Sequence, residues 1–309
     1  MKLLRRVQHI PELNAGCVAT IGNFDGVHRG HQALLATLRE RASQLQLPTV
    51  VLLFEPQPGE YFNREKAPLR LYRLREKIQA LCPCGVDYVY CLKFDKQLAT
   101  MSPAEFAEHI VFSRLNAKYL LLGDDFRFGR DRGGDLALLK TMGEKSGAVV
   151  ESCPDFCINQ ERVSSTQIRR ALYLGELDRA KSLLGREYSL CGHVMHGNGM
   201  GRQWGVPTAN LSVHRSTLPL SGVFCVRVKR KGVVLAGVAN IGNRPTIDGS
   251  KNVLEVHLFD FDESLYGEML QVFFLYKLRD EIKFSSVDAL IAQIHADVAA
   301  ARNVYELIE

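Results

Sequence analysis

The chain has 309 residues, a formal net charge of +5, 46% apolar and 24% charged residues, a length that suits two hydrophobic cores better than one. No apolar run approaches the roughly 20 residues that span a bilayer, and Met1-Lys-Leu-Leu-Arg-Arg lacks the apolar stretch and cleavage site of a secretory leader. The dispersed charge suits small anions at least as well as nucleic acid, whose binders carry a basic stripe.

In chain order, Cys17–Ile21 reads as a short buried strand ending at Gly22, followed by a helix from Gln32 with Leu34, Leu35 and Leu38 inward. Val50–Phe54 is a second buried strand, closed by Glu55-Pro-Gln-Pro-Gly59. A helix over Leu71–Leu81, a strand at Val86–Tyr90 and a helix over Pro103–Phe112, capped by Ser102, continue the alternation. Tyr119–Leu122 and Ala148–Val150 complete it. Strands alternating with helices imply a parallel sheet covered on both faces, with the ligand beyond the carboxyl ends of the strands. The turns after Ile21, Phe54 and Leu122 lie on that edge.

Near residue 185 the pattern changes. Leu172–Leu184 is helical, with a helix-to-helix turn over Leu174–Asp178. β-type runs then follow at Gly222–Val228, Val233–Val238, Leu254–Phe259 and Leu270–Leu275, with turn signals at Lys231-Gly232 and Asp248-Gly249. They predict an antiparallel barrel or sandwich. Ser286–Ile308 closes the chain as an amphipathic helix with Leu290, Ile294, Val298 and Ala301 on one face. The expected division is an α/β domain over residues 1–184 and a β-rich domain over 185–309. The eight cysteines form no C-x-x-C pair, which argues against a zinc ribbon or thioredoxin-like site and for reduced thiols in a cytoplasmic protein.

The densest signal is Thr20-Ile-Gly-Asn-Phe-Asp-Gly-Val-His-Arg-Gly-His31. His28 and His31 fall at a strand-to-helix turn, where unpaired backbone N–H groups and the helix dipole attract an anion. Gly22, Gly26 and Gly30 leave the backbone open to a phosphate. A lone histidine there is usually a cap, and a zinc site would need three or four ligands, which no neighbouring Cys or His supplies. A nucleoside triphosphate site is the stronger reading.

Three other segments go with it. Gly123-Asp-Asp-Phe-Arg-Phe-Gly129 offers Asp125, Phe126 and Phe128 to a sugar or flat ring, though a strand-end turn with capping aspartates explains it equally well. Arg162-Val-Ser-Ser-Thr-Gln-Ile-Arg169 places Ser164, Ser165 and Thr166 before Arg169, more than capping requires and a good pyrophosphate grip. Phe54, Tyr61 and Phe62 flank a proline-rich lip suited to an aromatic ligand. Together these motifs resemble the nucleotidyltransferase half of the bacterial bifunctional riboflavin kinase/FMN adenylyltransferases, also called FAD synthetases. The resemblance implies a Rossmann-like nucleotidyltransferase domain that adenylylates FMN with ATP and releases pyrophosphate. It assigns ATP contacts to Gly22, Asn23, Phe24, Gly30, Ser164, Ser165 and Thr166, charge stabilisation to His28, His31 and Arg169, and flavin contacts to Phe54, Phe62, Asp125, Phe126 and Phe128. Some relatives carry an amide at the position of Asp125.

In the second half, glycines at 192, 197, 199, 201 and 205 exclude a strand interior and predict a loop that donates backbone N–H groups. Pro207-Thr-Ala-Asn210 adds a hydroxyl and an amide oxygen on adjacent turns, hard donors suited to Mg²⁺. No G-K-[ST] ends the loop, so it is not a Walker A sequence. This segment, with Gly237-Val-Ala-Asn-Ile-Gly-Asn-Arg-Pro-Thr246 and Leu254-Glu-Val-His257, resembles the riboflavin kinase half of the same family. That resemblance implies a riboflavin kinase β-barrel with a C-terminal helix. It gives Thr208 and Asn210 to Mg²⁺, Gly192, His196 and Gly201 to ATP, and Arg279 and Phe284 to the flavin. Glu255 becomes the general base on the riboflavin 5′-hydroxyl. ATP, riboflavin and FMN are the expected substrates, with no nucleic-acid or membrane partner and a monomer or weak oligomer.

Overall fold

A computed structural model describes residues 1–5, 11–197, 200–213, 215, 217–246 and 249–308, with backbone only for Glu12, Met200, 243–246 and 249–252. The expected Asp248-Gly249 turn and Gly199 of the glycine-rich loop therefore involve positions outside the described residues. The chain forms two compact units, Met1–Pro68 with Tyr72–Ser165, and Leu69–Leu71 with Thr166–Glu309.

The first unit is built on six parallel strands, β1 Lys2–Arg5, β2 Cys17–Ile21, β3 Thr49–Glu55, β4 Tyr88–Lys93, β5 Ala117–Gly123 and β6 Val149–Cys153. Their order is β1-β4-β3-β2-β5-β6, and a two-stranded antiparallel ribbon, β7 Cys157–Ile158 with β8 Glu161–Arg162, follows them in the chain. Side chains alternate across the sheet, so its inner strands serve two cores. Ala19, Ile21, Leu52, Leu120 and Leu122 join Phe106, Ile110 and Leu139 on one face, while Val18, Val51, Leu53 and Leu121 join Leu35, Leu38 and Leu81 on the other. The near-continuous apolar runs read from the sequence are the consequence of this double burial. β1 escaped that reading because it is a short, exposed edge strand with charged ends.

β3 and β4 extend the sheet from one side of β2, and β5 and β6 from the other, so the topology switches between β2 and β5. In open α/β sheets ligands bind in the crevice at the carboxyl ends of the strands beside such a switch point. The turns after β2 and β5 flank it.

Local chemistry sets the helix boundaries. Ser102 Oγ accepts from Glu105 N at 3.2 Å and Glu105 Oε2 accepts from Ser102 N at 2.8 Å, the expected cap; the helix continues as a π-helix over Phe106–Arg114. The helix expected from Leu71 starts at Leu74, because Arg73 is its cap and the Tyr72 N–H is committed to Asp25 Oδ1 at 2.9 Å.

In the second unit, helices Ser165–Leu174 and Leu177–Leu184 meet at Gly175, whose φ of +76° makes the anticipated turn. Leu69–Leu71 belongs to this unit because its carbonyls accept from Arg169 Nε, Arg215 Nη1 and Tyr188 OH. The strands β9 Ser189–Met195, β10 Ala209–Ser212, β11 Gly222–Arg230, β12 Val233–Thr246, β13 Gly249–Leu258 and β14 Met269–Arg279 close into an antiparallel barrel, settling the choice between barrel and sandwich. Closure leaves no unpaired edge. The last helix, Val287–Ile308, begins where Ser286 Oγ accepts from Ala289 N, and packs Val298 and Ala301 against Val223, Cys225, Val238 and Phe259.

Two sequence expectations fail here. Gly192 is not in a loop but in the interior of β9, paired with Leu270; a Cβ there would lie 3.0 Å from the Ser212 carbonyl oxygen. The close approach of β10 requires the missing side chain, so glycine marks strand crossing rather than a turn. Likewise Asn210 lies on β10, in register with Glu255 of β13, and not on a turn.

Candidate active sites

The turn after β2 combines strain with cross-bracing. Phe24 and Val27 hold φ of +46° and +43°, a sparsely populated region for a bulky and a β-branched residue. Both side chains are buried, with Phe24 2% exposed and Val27 fully enclosed. The helix Arg29–Leu45 starts immediately afterwards with His28 as its cap, and His28 Nδ1 accepts from the His31 N–H at 3.3 Å. An accepting Nδ1 fixes the neutral tautomer with hydrogen on Nε2, so the other ring edge is a donor. The His28 and His31 rings stack with centroids 3.6 Å apart, and Phe24 lies 4.7 Å from His31. Gly30 sits against the His28 ring and close to the Val163 carbonyl. Ser165 Oγ donates to the Asp25 carbonyl at 2.8 Å.

The structure thus joins Gly22, Asn23, Phe24, His28, Gly30, His31 and the Val163–Ser165 segment around the start of one helix. Thr166 and Arg169 belong to the second unit, where Arg169 Nε donates to the Leu69 carbonyl.

The aromatic residues expected to meet a flat ring form a continuous chain in the first unit. Phe62 packs edge-on to Phe94, Phe94 to Phe54, Phe54 against Phe106, and Phe106 against Phe128, which stacks on Phe126 at 5.6 Å. Phe94 and Phe106 were not foreseen; each reads from sequence as an ordinary apolar position. Phe62 is 66% exposed, whereas Phe54 and Phe128 are core residues. Asp125 pairs with Arg162 at 2.8 Å, and Arg162 also reaches Asp155 at 2.9 Å. The hydrogen bond to Asp125 holds the guanidinium pKa above its ordinary value.

In the second unit a cavity of about 400 Å³ gathers Gly201, Thr208, Asn210, Glu255, Arg279 and Phe284, six of the residues selected from sequence. The strand register explains part of this meeting, since Glu255 pairs with Asn210 on one side and Asn240 on the other. Gly197 lies against the Asn210 amide, where a Cβ would collide with Nδ2. Arg279 donates to Asp297 Oδ1 at 2.9 Å and Oδ2 at 2.6 Å, and its guanidinium lies 5.9 Å from the Phe284 ring centre. Asp297, Leu290 and Ile294 bring the final helix into the cavity wall, and Trp204, Asn240, His257 and Glu281 also line it. None of these was selected as a site residue from sequence.

His257 Nδ1–H donates to the Pro207 carbonyl at 2.8 Å, and burial pulls its pKa below the ordinary value. His196 stacks on Tyr266 at 4.0 Å, and neither it nor Gly192 lines the cavity.

Among the described residues no cluster of three or more His, Cys, Asp or Glu side chains could hold a metal. Thr208 and Asn210 nevertheless fit Mg²⁺, which takes few protein oxygens and keeps waters and phosphates as its other ligands.

An α/β unit with a strained strand-to-helix turn at its switch point and a barrel whose cavity carries a hydroxyl, an amide and a carboxylate have the form of a two-domain transferase. Two family models match in order, "FAD synthetase" over residues 10–167 and "Riboflavin kinase" over residues 184–305. The chain is 47% identical over 303 residues to the bifunctional riboflavin kinase/FMN adenylyltransferase of Haemophilus influenzae, covering 98% of each chain. With the Pseudomonas fluorescens protein of the same name identity is 49%, covering 98% of this chain and 97% of the other. A crystal structure described as a macrolide-efflux protein from Streptococcus pneumoniae matches with a TM-score of 0.82 and 32% identity over 97% of this chain and 99% of that one.

The chain belongs to the bifunctional riboflavin kinase/FMN adenylyltransferase family. It is a transferase with both activities, and ATP, riboflavin and FMN fit as substrates. No helix among the described residues is long and apolar enough to cross a membrane.

Proposed function

We propose that residues 1–184 carry adenylyl transfer to FMN and residues 185–309 carry phosphorylation of riboflavin, each with its own ATP site. The gathering of Thr208, Asn210, Glu255, Arg279 and Phe284 in one cavity is the observation that carries this reading. In the barrel, the Glu255 carboxylate takes the proton from the riboflavin 5′-hydroxyl as the hydroxyl oxygen attacks the γ-phosphorus of ATP, the bond to the β,γ-bridging oxygen breaks and ADP leaves. A neutral alcohol gains from such a base. Arg279 and Phe284 flank the flavin, Gly201 lies beside the nucleotide phosphates, and Thr208 and Asn210 hold Mg²⁺. The ion, when bound, neutralises phosphate charge. Gly192 and His196, although outside the cavity wall, remain candidates for ATP contacts.

At the β2–β5 crevice, a phosphate oxygen of FMN attacks the α-phosphorus of ATP and the bond to the bridging oxygen of pyrophosphate breaks. The nucleophile is already ionised, so no general base is required. Charge grows on the leaving oxygens, and the His28 and His31 donors at the helix start meet it. Gly22, Asn23, Phe24, Gly30, Ser164 and Ser165 position the nucleotide, and Thr166 and Arg169 remain candidates for ATP contacts. The aromatic chain from Phe62 through Phe54 to Phe128 and Phe126 receives the isoalloxazine, with Asp125 and its Arg162 partner at the rim. The protein acts in the cytoplasm as a monomer or weak oligomer on small molecules, without nucleic-acid or membrane partners, as its dispersed charge supports.

Chromatography of products from riboflavin, FMN, ATP and Mg²⁺ tests the division. Glu255→Gln should stop FMN formation and spare FAD formation from added FMN. His28→Ala should do the reverse. Loss of both activities by either folded variant refutes two separate centres.

A further inference from the structure

Lys77 is only 1% exposed, in a helix whose preceding residues gave no sign of a functional role. A buried ammonium is costly unless well partnered, so its position calls for a reason. Its Nζ donates to the carbonyl oxygen of Asn23, the residue that opens the strained turn after β2. The same turn is held at further points along its length. Tyr72 N donates to Asp25 Oδ1, Ser165 Oγ to the Asp25 carbonyl and Gln32 Nε2 to the Val27 carbonyl at 2.8 Å. Asp25 itself is 3% exposed.

Left-handed backbone at Phe24 and Val27 persists only where the surroundings over-determine it. The braces from Ser165 and Gln32 join neutral partners, whereas those from Tyr72 N to the Asp25 carboxylate and from Lys77 are charge-assisted, and such bonds are about twice as strong. Solvent would compete with such a brace at the surface; burial prevents that.

We infer that Lys77 is a positioning residue for adenylyl transfer: it holds the Asn23–Val27 turn in the strained form that aims His28 and His31 at the triphosphate. The inference rests on the reading of that turn as the triphosphate site. Lys77 itself touches neither substrate nor reacting atoms in this scheme.

The test uses the full-length protein with Lys77→Met, Lys77→Gln, Lys77→Arg and, as reference, His28→Ala. FAD formation gives kcat and KM for ATP, quenching of flavin fluorescence gives FMN affinity without ATP, and riboflavin phosphorylation reports the second unit. Lys77→Met should lower kcat/KM for ATP about 10- to 100-fold, the range expected for a lost charged hydrogen bond. FMN affinity and riboflavin phosphorylation should stay within about twofold. Lys77→Arg should recover most of the loss, and Lys77→Gln, which keeps a donor without the charge, only part of it.

FAD formation within twofold of the parent in Lys77→Met overturns the inference. If that variant unfolds the first unit, Lys77→Gln decides. Reduced FAD formation with intact FMN binding supports positioning, whereas equal loss of both, or of neither, refutes it. The reference variant separates the two levels of argument. An active His28→Ala removes the triphosphate reading itself; an inactive His28→Ala beside an active Lys77→Met removes only the role of Lys77.

Discussion

Replacing Asp297 tests whether the final helix is part of the barrel's active cavity or merely rests on it. Asp297 is 7% exposed and accepts hydrogen bonds from Arg279 at 2.6, 2.9 and 3.1 Å, with another from Gln293 Nε2 at 2.9 Å. Asp297→Ala removes the carboxylate that accepts these bonds from the guanidinium. Breaking a buried ion pair from one side costs about 3–5 kcal/mol. The Arg279 side chain is 22% exposed, so water recovers part of that loss and about 2–3 kcal/mol remains. At roughly 2–4 °C per kcal/mol for a unit of this size, the second unit should melt about 4–12 °C lower.

Differential scanning calorimetry measures the shift directly. Riboflavin KM in FMN formation should rise at least about threefold, because Arg279 and Phe284 would no longer be held together, while FAD formation from FMN stays unchanged. The paired replacement Arg279→Met with Asp297→Leu should regain most of the stability without regaining riboflavin affinity, since a well-packed apolar pair can match a buried ion pair. A melting shift below about 2 °C for Asp297→Ala, or an unchanged riboflavin KM, would show that the helix contributes neither stability nor flavin binding through this pair.

Two further outcomes follow from the same cavity. His257 has a folded-state pKa depressed below its ordinary 6.5 by burial, so the unfolded chain binds the proton more readily. Stability of the second unit should therefore be unaffected well above pH 6.5 and decline as pH falls through and below that value; urea titrations at pH 8 and pH 5.5 should diverge in the parent and converge in His257→Gln. Gly197→Ala should drive a methyl group into the Asn210 amide and lower FMN formation, leaving FAD formation from FMN intact. Unaltered FMN formation in that variant would mean that Asn210 need not hold its place.

Much of the first unit was legible because a doubly covered parallel strand must be apolar on both faces. Val50–Phe54 and Tyr119–Leu122 admit little else, and their alternate residues do serve separate cores. The His28-Arg-Gly-His31 turn was legible as a strand-to-helix turn for a related reason: the residues that cap a helix start are adjacent in sequence. Gly192 misled because glycine has two uses, turning a chain and letting two chains pass closely, and composition does not distinguish them. Lys77 and Asp297 were invisible. A lysine or aspartate in an amphipathic helix looks like its solvated face until the partner across space is known.

The sequence by itself determined the order of elements, the strand-to-helix turn at His28 and the side chains available to each half, since those depend on periodicity and on neighbours along the chain. Tertiary structure decided which residues work together. Closure of the barrel set Asn210 beside Glu255, and the last helix brought Asp297 to Arg279, 18 positions away in the chain. Packing likewise buried the ammonium of Lys77 beneath a turn 54 positions earlier. Such pairings depend on long-range geometry, and only a folded core supplies the burial that makes them strong.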